Sequence, residues 1–351
     1  MGDFDITTKT AKRLSAVARH AAAQHPAELR IDGAPVGGDS LDCAFNLTAG
    51  ALFTADADAA RRLLPSPRLH PVRVTPGRTL VVIAANDWHW RLGSSPPVRS
   101  VDVQVGVVVS YGRRSARTVV PVLLGGTPLG ARYGVGWYWL TWFTTNRVAR
   151  EVFSRMLGVD AVLADAHEER RAARTRFALT DSGTSVLDFE VRLGSSARIP
   201  TMRPGELEAY RTYSVRDGEL IGWAVTCHDV GSTFHTGPHR ASLTLGDHPA
   251  CDVLRSLDLS TRSFGGSIRV SGGEYYEGPA HLGRATPRPT ITAADATITK
   301  RLVVSEEPGQ ETLIEQLPPD LPFDPSGTFT LEQRNPLPEG RNTLAHKRAR
   351  D

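Results

Sequence analysis

Lysine is almost missing from this chain. Of 41 lysines and arginines in 351 residues, only Lys9, Lys12, Lys300 and Lys347 are lysines. Arginine is effectively never deprotonated and forms no Schiff base, so amine chemistry has few candidates. Cysteine is scarce too. Cys43, Cys227 and Cys251 lie far apart and make no C-x-x-C pair, which argues against a disulfide framework and for a reduced, cytoplasmic protein. No apolar run approaches a membrane span, so a soluble protein is expected. The N-terminal segment lacks a signal-peptide core, and Ile6 stands where a myristoylation signal needs Ser or Thr. There is no Gly-Lys dipeptide and no GxGxxG or GxSxG, so neither a nucleotide-dependent enzyme nor an ordinary α/β serine hydrolase is expected. A net charge of only +3 leaves no nucleic-acid or polybasic membrane footprint.

What is present is mostly β signal. Residues 7–25 read as one amphipathic helix, with Leu14, Val17 and Ala21 as its apolar stripe, and residues 32–40 as a loop. From residue 41 the runs TLVVIAA, VDVQVGVVVSY, TVVPVLL and YWLTWF, then SVLDFEVRL, LEAYRTYSV and ELIGWAVTCHDV, read as strands. DADAARRLLP and NRVAREVFSRML read as helices, the first capped by Asp56 and ended by Pro65, and HPACDVLRSLDL as a short helix. After Arg284 prolines punctuate the chain. TITKRLVVS and TFTLEQ read as strands there, and the remainder as extended or disordered. The expected plan is an N-terminal helical extension over 1–40, a β-rich α+β domain over 41–283, and a Pro-rich C-terminal extension over 284–351.

Three clusters carry side chains suited to chemistry. GVGWYWLTWF alternates Trp137, Trp139 and Phe143 against Tyr138, Leu140 and Trp142, the pattern of a strand buried on both sides or of one lining a pocket. NDWHW (86–90) is expected at a strand mouth, either as a structured loop with exposed aromatics or as a site where Trp88, His89 and Trp90 stack on a ligand and supply a proton-transfer group near neutral pH. CHDVGSTFHTGPH concentrates His228, Asp229, His235 and His239. Zinc is the sharper reading of that cluster, but Gly237 and Pro238 break any helical H-E-x-x-H geometry. The histidines are read as hydrogen-bonded strand ends, with no metal and no cofactor expected.

FTADADAARRLLPSP (53–67) resembles the early strand–helix segment of the acetoacetate decarboxylase superfamily. ARE (149–151) followed by LGVDAVLAD is similar to the family's GRE segment and its lysine-bearing turn. HTGPHRASLTLGDHPACDVLRSLDL (235–259) is similar to its late TGP strand and closing helix. The resemblance spans about residues 41–283 in order. It implies a β-barrel or double-sheet domain enclosing a ligand cavity, and a homo-oligomer. It also implies a lysine Schiff base to a β-keto acid, with a neighbouring cation lowering the lysine pKa. Carried over by position, the lysine pair falls on Ala161 and Val162, the arginine on or near Asn46, and the two acids near Val81 and Asp102. Neither a methyl nor an isopropyl group attacks a carbonyl. The frame of the turn is present without its nucleophile, and Lys300, in TITKRLVV, reads as a solvated strand position.

The residues therefore point to an enzyme on a small carbonyl- or carboxylate-bearing metabolite without a Schiff base, in specialised bacterial metabolism. His89, Asp102 and His235 are the acid–base candidates, and Asn46, Trp88, Trp90, Trp139 and His228 the ligand-binding ones. The alternative is an inactive small-molecule-binding or structural member that supports a partner enzyme.

Overall fold

The computed structural model describes residues 30–31, 34–35, 39–91, 98–112, 135–171, 173–193, 198–202, 207–229, 232–287, 302–307 and 310–314. The expected helix over 7–25, the strands TVVPVLL and TFTLEQ, and all four lysines fall outside these residues.

β1 (Arg30–Ile31) and β2 (Ala34–Pro35) pair with each other. β3 (Asp39–Asp56) runs into helix α1 (Ala57–Leu63), followed by β4 (Leu69–Pro71), β5 (Arg73–Thr75), β6 (Arg78–Arg91), β7 (Val98–Tyr111) and β8 (Val135–Thr144). Helix α2 (Arg147–Arg155) leads to β9 (Ala161–Leu163), β10 (Asp165–Arg171), β11 (Arg174–Asp181) and β12 (Thr184–Arg192). Next come β13 (Arg198–Met202), β14 (Leu207–Arg216), β15 (Glu219–Asp229), β16 (Ser232–Thr236) and β17 (Ala241–Leu245). A 3-10 turn at Pro249–Cys251 enters α3 (Asp252–Arg255), and β18 (Ser263–Arg284), β19 (Leu302–Glu307) and β20 (Gln310–Ile314) follow.

The larger sheet closes on itself. Its order β18-β15-β14-β8-β7-β6-β3 returns to β18 through the β18–β3 pairing, which makes a seven-stranded barrel. The second sheet runs β17-β12-β11-β10-β19-β20, so two strands from the C-terminal extension complete it. The barrel wall has two apolar faces, as the alternation along β6 and β7 requires. One face carries Phe53, Ile83, Val103 and Val105 against Phe177, Leu179 and Phe189 of the second sheet. The opposite face gathers Phe45, Trp88, Trp90, Trp139, Trp142 and Trp223 inside the barrel. Helix α2 lays Phe153 against Trp142 and Trp90, with ring centroids 4.4 and 6.1 Å apart.

Local signals set the helices. Asp56 Oδ1 accepts from Ala59 N at 2.6 Å and caps α1, as the sequence predicts. Asn146 does the same for α2 through Val148 N and Ala149 N. Two expectations change. NDWHW lies within β6, paired on both sides, rather than at a strand mouth. In β8 the register shifts between Val105–Thr141 and Gly106–Trp139, and that extra residue reverses the alternation. Trp139 and Trp142 consequently share the interior, while Tyr138, Leu140 and Phe143 face the second sheet.

Large interior rings need glycine beneath them. A Cβ on Gly272 would stand 2.0 Å from Phe45 Cζ, and one on Gly106 would stand 2.8 Å from the Trp139 ring. Gly272→Ala is expected to lower stability by roughly 1–3 kcal/mol, the cost of overpacking a filled core. Urea unfolding checks this, and an unchanged midpoint would contradict the ring placement.

Candidate functional site

Residues paired directly across a sheet share a face. Asp102 pairs with Asn86 and with Thr144, Asn86 with Thr48, and Thr48 with Arg269. A polar row thus crosses five strands. The adjoining row reads Gly50, Ala84, Gln104 and Trp142. Contacts identify this face as the barrel interior: Ser100 Oγ donates to Asp102 Oδ2 at 2.9 Å and accepts from Trp90 Nε1 at 3.2 Å. Trp88 meets Trp142 and, across the barrel, Tyr276, each at 6.4 Å between centroids.

The interior face keeps residual accessibility that the outer face lacks. Along β6, Val81, Ile83 and Ala85 are 0% exposed, whereas Val82, Ala84 and Asn86 retain 5, 7 and 3%. On the interior face Asn86 Nδ2, Gln104 Nε2, Thr48 Oγ1, Asp102 Oδ1 and the indole nitrogens of Trp88, Trp139, Trp142 and Trp223 have no hydrogen-bond partner. Buried polar groups are normally paired, at a cost of about 1–3 kcal/mol for each one left unpaired. Eight such atoms in one interior leave hydrogen-bonding capacity that its own side chains do not use.

Burial drives Asp102 from an ordinary 3.8 up to about 7, against the hydroxyls of Thr144 and Ser100 and with the help of the Asp87 charge. A second buried acid stands further along the interior. Tyr276 Oη donates to Glu274 Oε2 at 3.0 Å, and Arg269 Nη2 donates to Cys227 Sγ at 2.5 Å. Burial pushes Glu274 up, with Arg269, Tyr210, Tyr276 and Cys227 opposing. The phenols of Tyr210 and Tyr276 rise well above their ordinary value, through burial and then the Glu274 charge.

On the other side of the same wall lies a compensated ion cluster. Asp87, fully buried, accepts from Arg99 Nε and Nη2 at 2.8 Å each and from Arg170 Nη2 at 2.5 Å. Arg170 also holds Glu168 through Nε at 2.7 Å. Burial would raise Asp87, but the charges of Arg99 and Arg170 outweigh it and bring the carboxyl to about 2. Burial leaves Glu168 above its ordinary value, with the Arg170 charge opposing and the Asp87 charge adding to the rise. Two carboxylates matched by two guanidiniums on β6, β7 and β10 tie the barrel to the second sheet.

This wall separates the candidates drawn from the sequence. Asn46 occupies a bulge in β3 and donates to Asp87 Oδ2 at 3.1 Å, with His89 Nδ1 at 3.4 Å. Asn46 and His89 therefore belong to the ion cluster, whereas Asp102, Trp88, Trp90 and Trp139 face the interior. His235 pairs with Gly266, which pairs with Ala51 on the second-sheet side. His89 aligns through Ala44 with Gly273, seven residues from Gly266 along β18 or roughly 23 Å at 3.3 Å per residue. His89, Asp102 and His235 do not converge. The backbone sets His228 near the end of β15, opposite Leu207 and Gly273. Ala161, in β9, pairs with Trp142 and packs in the interior cluster, so the expected turn stands beside the site with a methyl group at that position.

Thr48, Asn86, Gln104, Arg269 and Glu274 were not anticipated. Asn86 and Gln104 do carry a signal: each is a polar residue at the alternating position of an apolar strand, two residues from Ala84 and Asp102 respectively. Among the described residues no group of three His, Cys, Asp or Glu side chains is placed to hold a metal ion.

No family model matches the chain, and no curated protein does. Solved structures do. The enduracididine biosynthesis enzyme MppR, complexed with the condensation product of pyruvate and imidazole 4-carboxaldehyde, is 16% identical, with 74% of this chain and 96% of that one covered at a TM-score of 0.47. An acetoacetate decarboxylase-like enzyme from Sphingomonas wittichii RW1 is 10% identical over 71% and 95% of the two chains, at 0.46. Acetoacetate decarboxylase from Legionella pneumophila is 13% identical over 78% and 95%, at 0.43. Each likeness is one of fold, at low identity.

Proposed function

We propose that the barrel interior binds a small carbonyl-bearing metabolite, and that Asp102 is its acid–base group in a protein of the acetoacetate decarboxylase superfamily that uses no lysine Schiff base. The observation that carries this reading is Asp102 itself. It is a buried carboxyl brought to about 7, held through one oxygen by Ser100, with the other oxygen unpaired among unpaired amide donors. A group half protonated near neutral pH both takes and returns a proton. With a carbonyl bound, Asp102 removes an α-proton while Asn86 or Gln104 donates to the developing enolate oxygen. The C–H electron pair becomes the C=C bond of the enolate as the carbonyl π pair moves onto that oxygen; the reverse shift takes the proton back from Asp102 to carbon. Trp90 and Ser100 hold the carboxyl in place. On this reading the protein is a cytoplasmic homo-oligomer of bacterial specialised metabolism.

The test is α-proton exchange in D2O, followed by NMR with acetone, acetoacetate and acetophenone. The wild type is expected to exchange at least one probe faster than buffer, with a rate that bends near pH 7. Asp102→Asn is expected to slow this by about 10²–10⁴-fold. Borohydride treatment with the same probe leaves the intact mass unchanged. No exchange of any probe, or exchange at full rate in the variant, would overturn the proposal, and a borohydride adduct would restore a lysine mechanism. One observation favours the second reading, a binding protein without turnover: Trp139 and Trp142 pack edge to face at 5.6 Å and fill part of the interior themselves.

A further inference from the structure

Resting on that reading of the interior, we propose that its ligand is an uncharged, planar, conjugated oxo compound, an aromatic ketone of one or two rings, rather than an aliphatic acid anion. The hydrogen-bond inventory is lopsided. Six unpaired N–H donors, on Asn86, Gln104, Trp88, Trp139, Trp142 and Trp223, stand against one unpaired carboxyl oxygen on Asp102 and the Thr48 hydroxyl, which serves either way. A ligand satisfying this face supplies acceptors and few donors.

Charge narrows the class. A ligand carboxylate in the row of Asp102 meets an acid of like sign. Arg269, the cation of that row, already donates to Cys227, lies 5.1 Å from the Phe45 ring centroid, and offsets the buried Glu274. An anion there has no uncommitted positive partner among the described residues that line this row, and an uncompensated buried charge is costly.

Shape narrows it further. Gly106 and Gly272 are roofed by aromatic rings, but a Cβ built on Gly50 meets nothing closer than Ser267 Oγ at 3.5 Å. A Cβ there makes ordinary contact, with Ile83 O next at 3.9 Å. Gly50 and its partner Ala84 therefore form a floor of small residues without an overlying ring, flanked along β6 by Asn86 and across β7 by Gln104. Trp142 continues the row of Gly50, Ala84 and Gln104, and Trp88 meets it at 6.4 Å with planes at 61°. A floor of small residues beneath indole walls suits a flat ring, and a barrel of this strand number holds one small ligand at most.

Calorimetric titration of the full chain with 1-tetralone, tetralin and acetoacetate tests the class. We expect 1-tetralone to bind at least about tenfold more tightly than tetralin, which lacks the acceptor, and than acetoacetate. Gly50→Val is expected to weaken 1-tetralone binding at least about tenfold in a chain that still melts cooperatively, since its methyl groups stand above the floor on which the ring would lie. Tightest binding of acetoacetate would overturn the class while leaving the interior as a site. Equal binding of tetralin would show the donors to be idle and overturn the class too. Failure of all three probes would remove both the class and the proposed function. Undiminished 1-tetralone binding in folded Gly50→Val would take the ring off this floor and overturn the inference.

Discussion

Asp102→Asn is expected to be more stable than the wild type above pH 7, not less. The Asp102 carboxyl sits at about 7 when folded, against an ordinary value of 3.8 that the unfolded chain restores. Between these values the folded state holds a proton that the unfolded state has released. Stability from this residue is therefore intact below about pH 4 and declines as pH rises to 7. A difference of about three pKa units corresponds to at most about 4 kcal/mol lost above pH 7. Asparagine still accepts from Ser100 through its carbonyl and carries no charge into the barrel. The variant should match the wild type near pH 4 and exceed it at pH 8 by a few kcal/mol, as measured by urea unfolding at both values. Equal stability at pH 8 would mean that Asp102 is better solvated than its burial implies. A residue whose removal stabilises the fold is the expected mark of a site kept for function.

Asp87→Ala is expected to do the opposite, with a loss of about 3–5 kcal/mol at neutral pH, the usual cost of removing one partner from a buried ion cluster. Alanine leaves Arg99 and Arg170 close together, with Glu168 as the remaining carboxylate. The pH dependence also reverses. Asp87 stays ionised down to about 2, below its ordinary 3.8, so it supports the fold above about pH 4 and that support disappears as pH falls through 2. Acid titration followed by tryptophan fluorescence should show the wild type unfolding at lower pH than Asp87→Ala. An unchanged acid midpoint would show the cluster to be energetically idle. Two buried aspartates on neighbouring strands thus differ in sign because one has two arginines and the other has hydroxyls.

Much of the local structure was legible in the residues. Asp56 before an Ala/Arg/Leu helical run specified a capped helix, and the valine-rich run VDVQVGVVVSY specified a strand, because capping and alternation act over a few residues. That Ala161 and Val162 carry no amine was equally plain, since no folding gives a nitrogen to an alkyl group. Neighbours distant in the chain decided the rest. NDWHW became strand because β3 and β7 flank it on both sides. Bulges at Asn46 and near Trp139 reset the period-two pattern, so the wall to which Trp142 belongs was not readable from position alone. The closure of β18 on β3 brought Arg269 and Glu274 to the face of Asp102, more than 160 residues away in sequence, and set His89 behind that face. Residue identity determined which groups have chemistry to offer. Strand pairing, which is non-local, decided which of them meet.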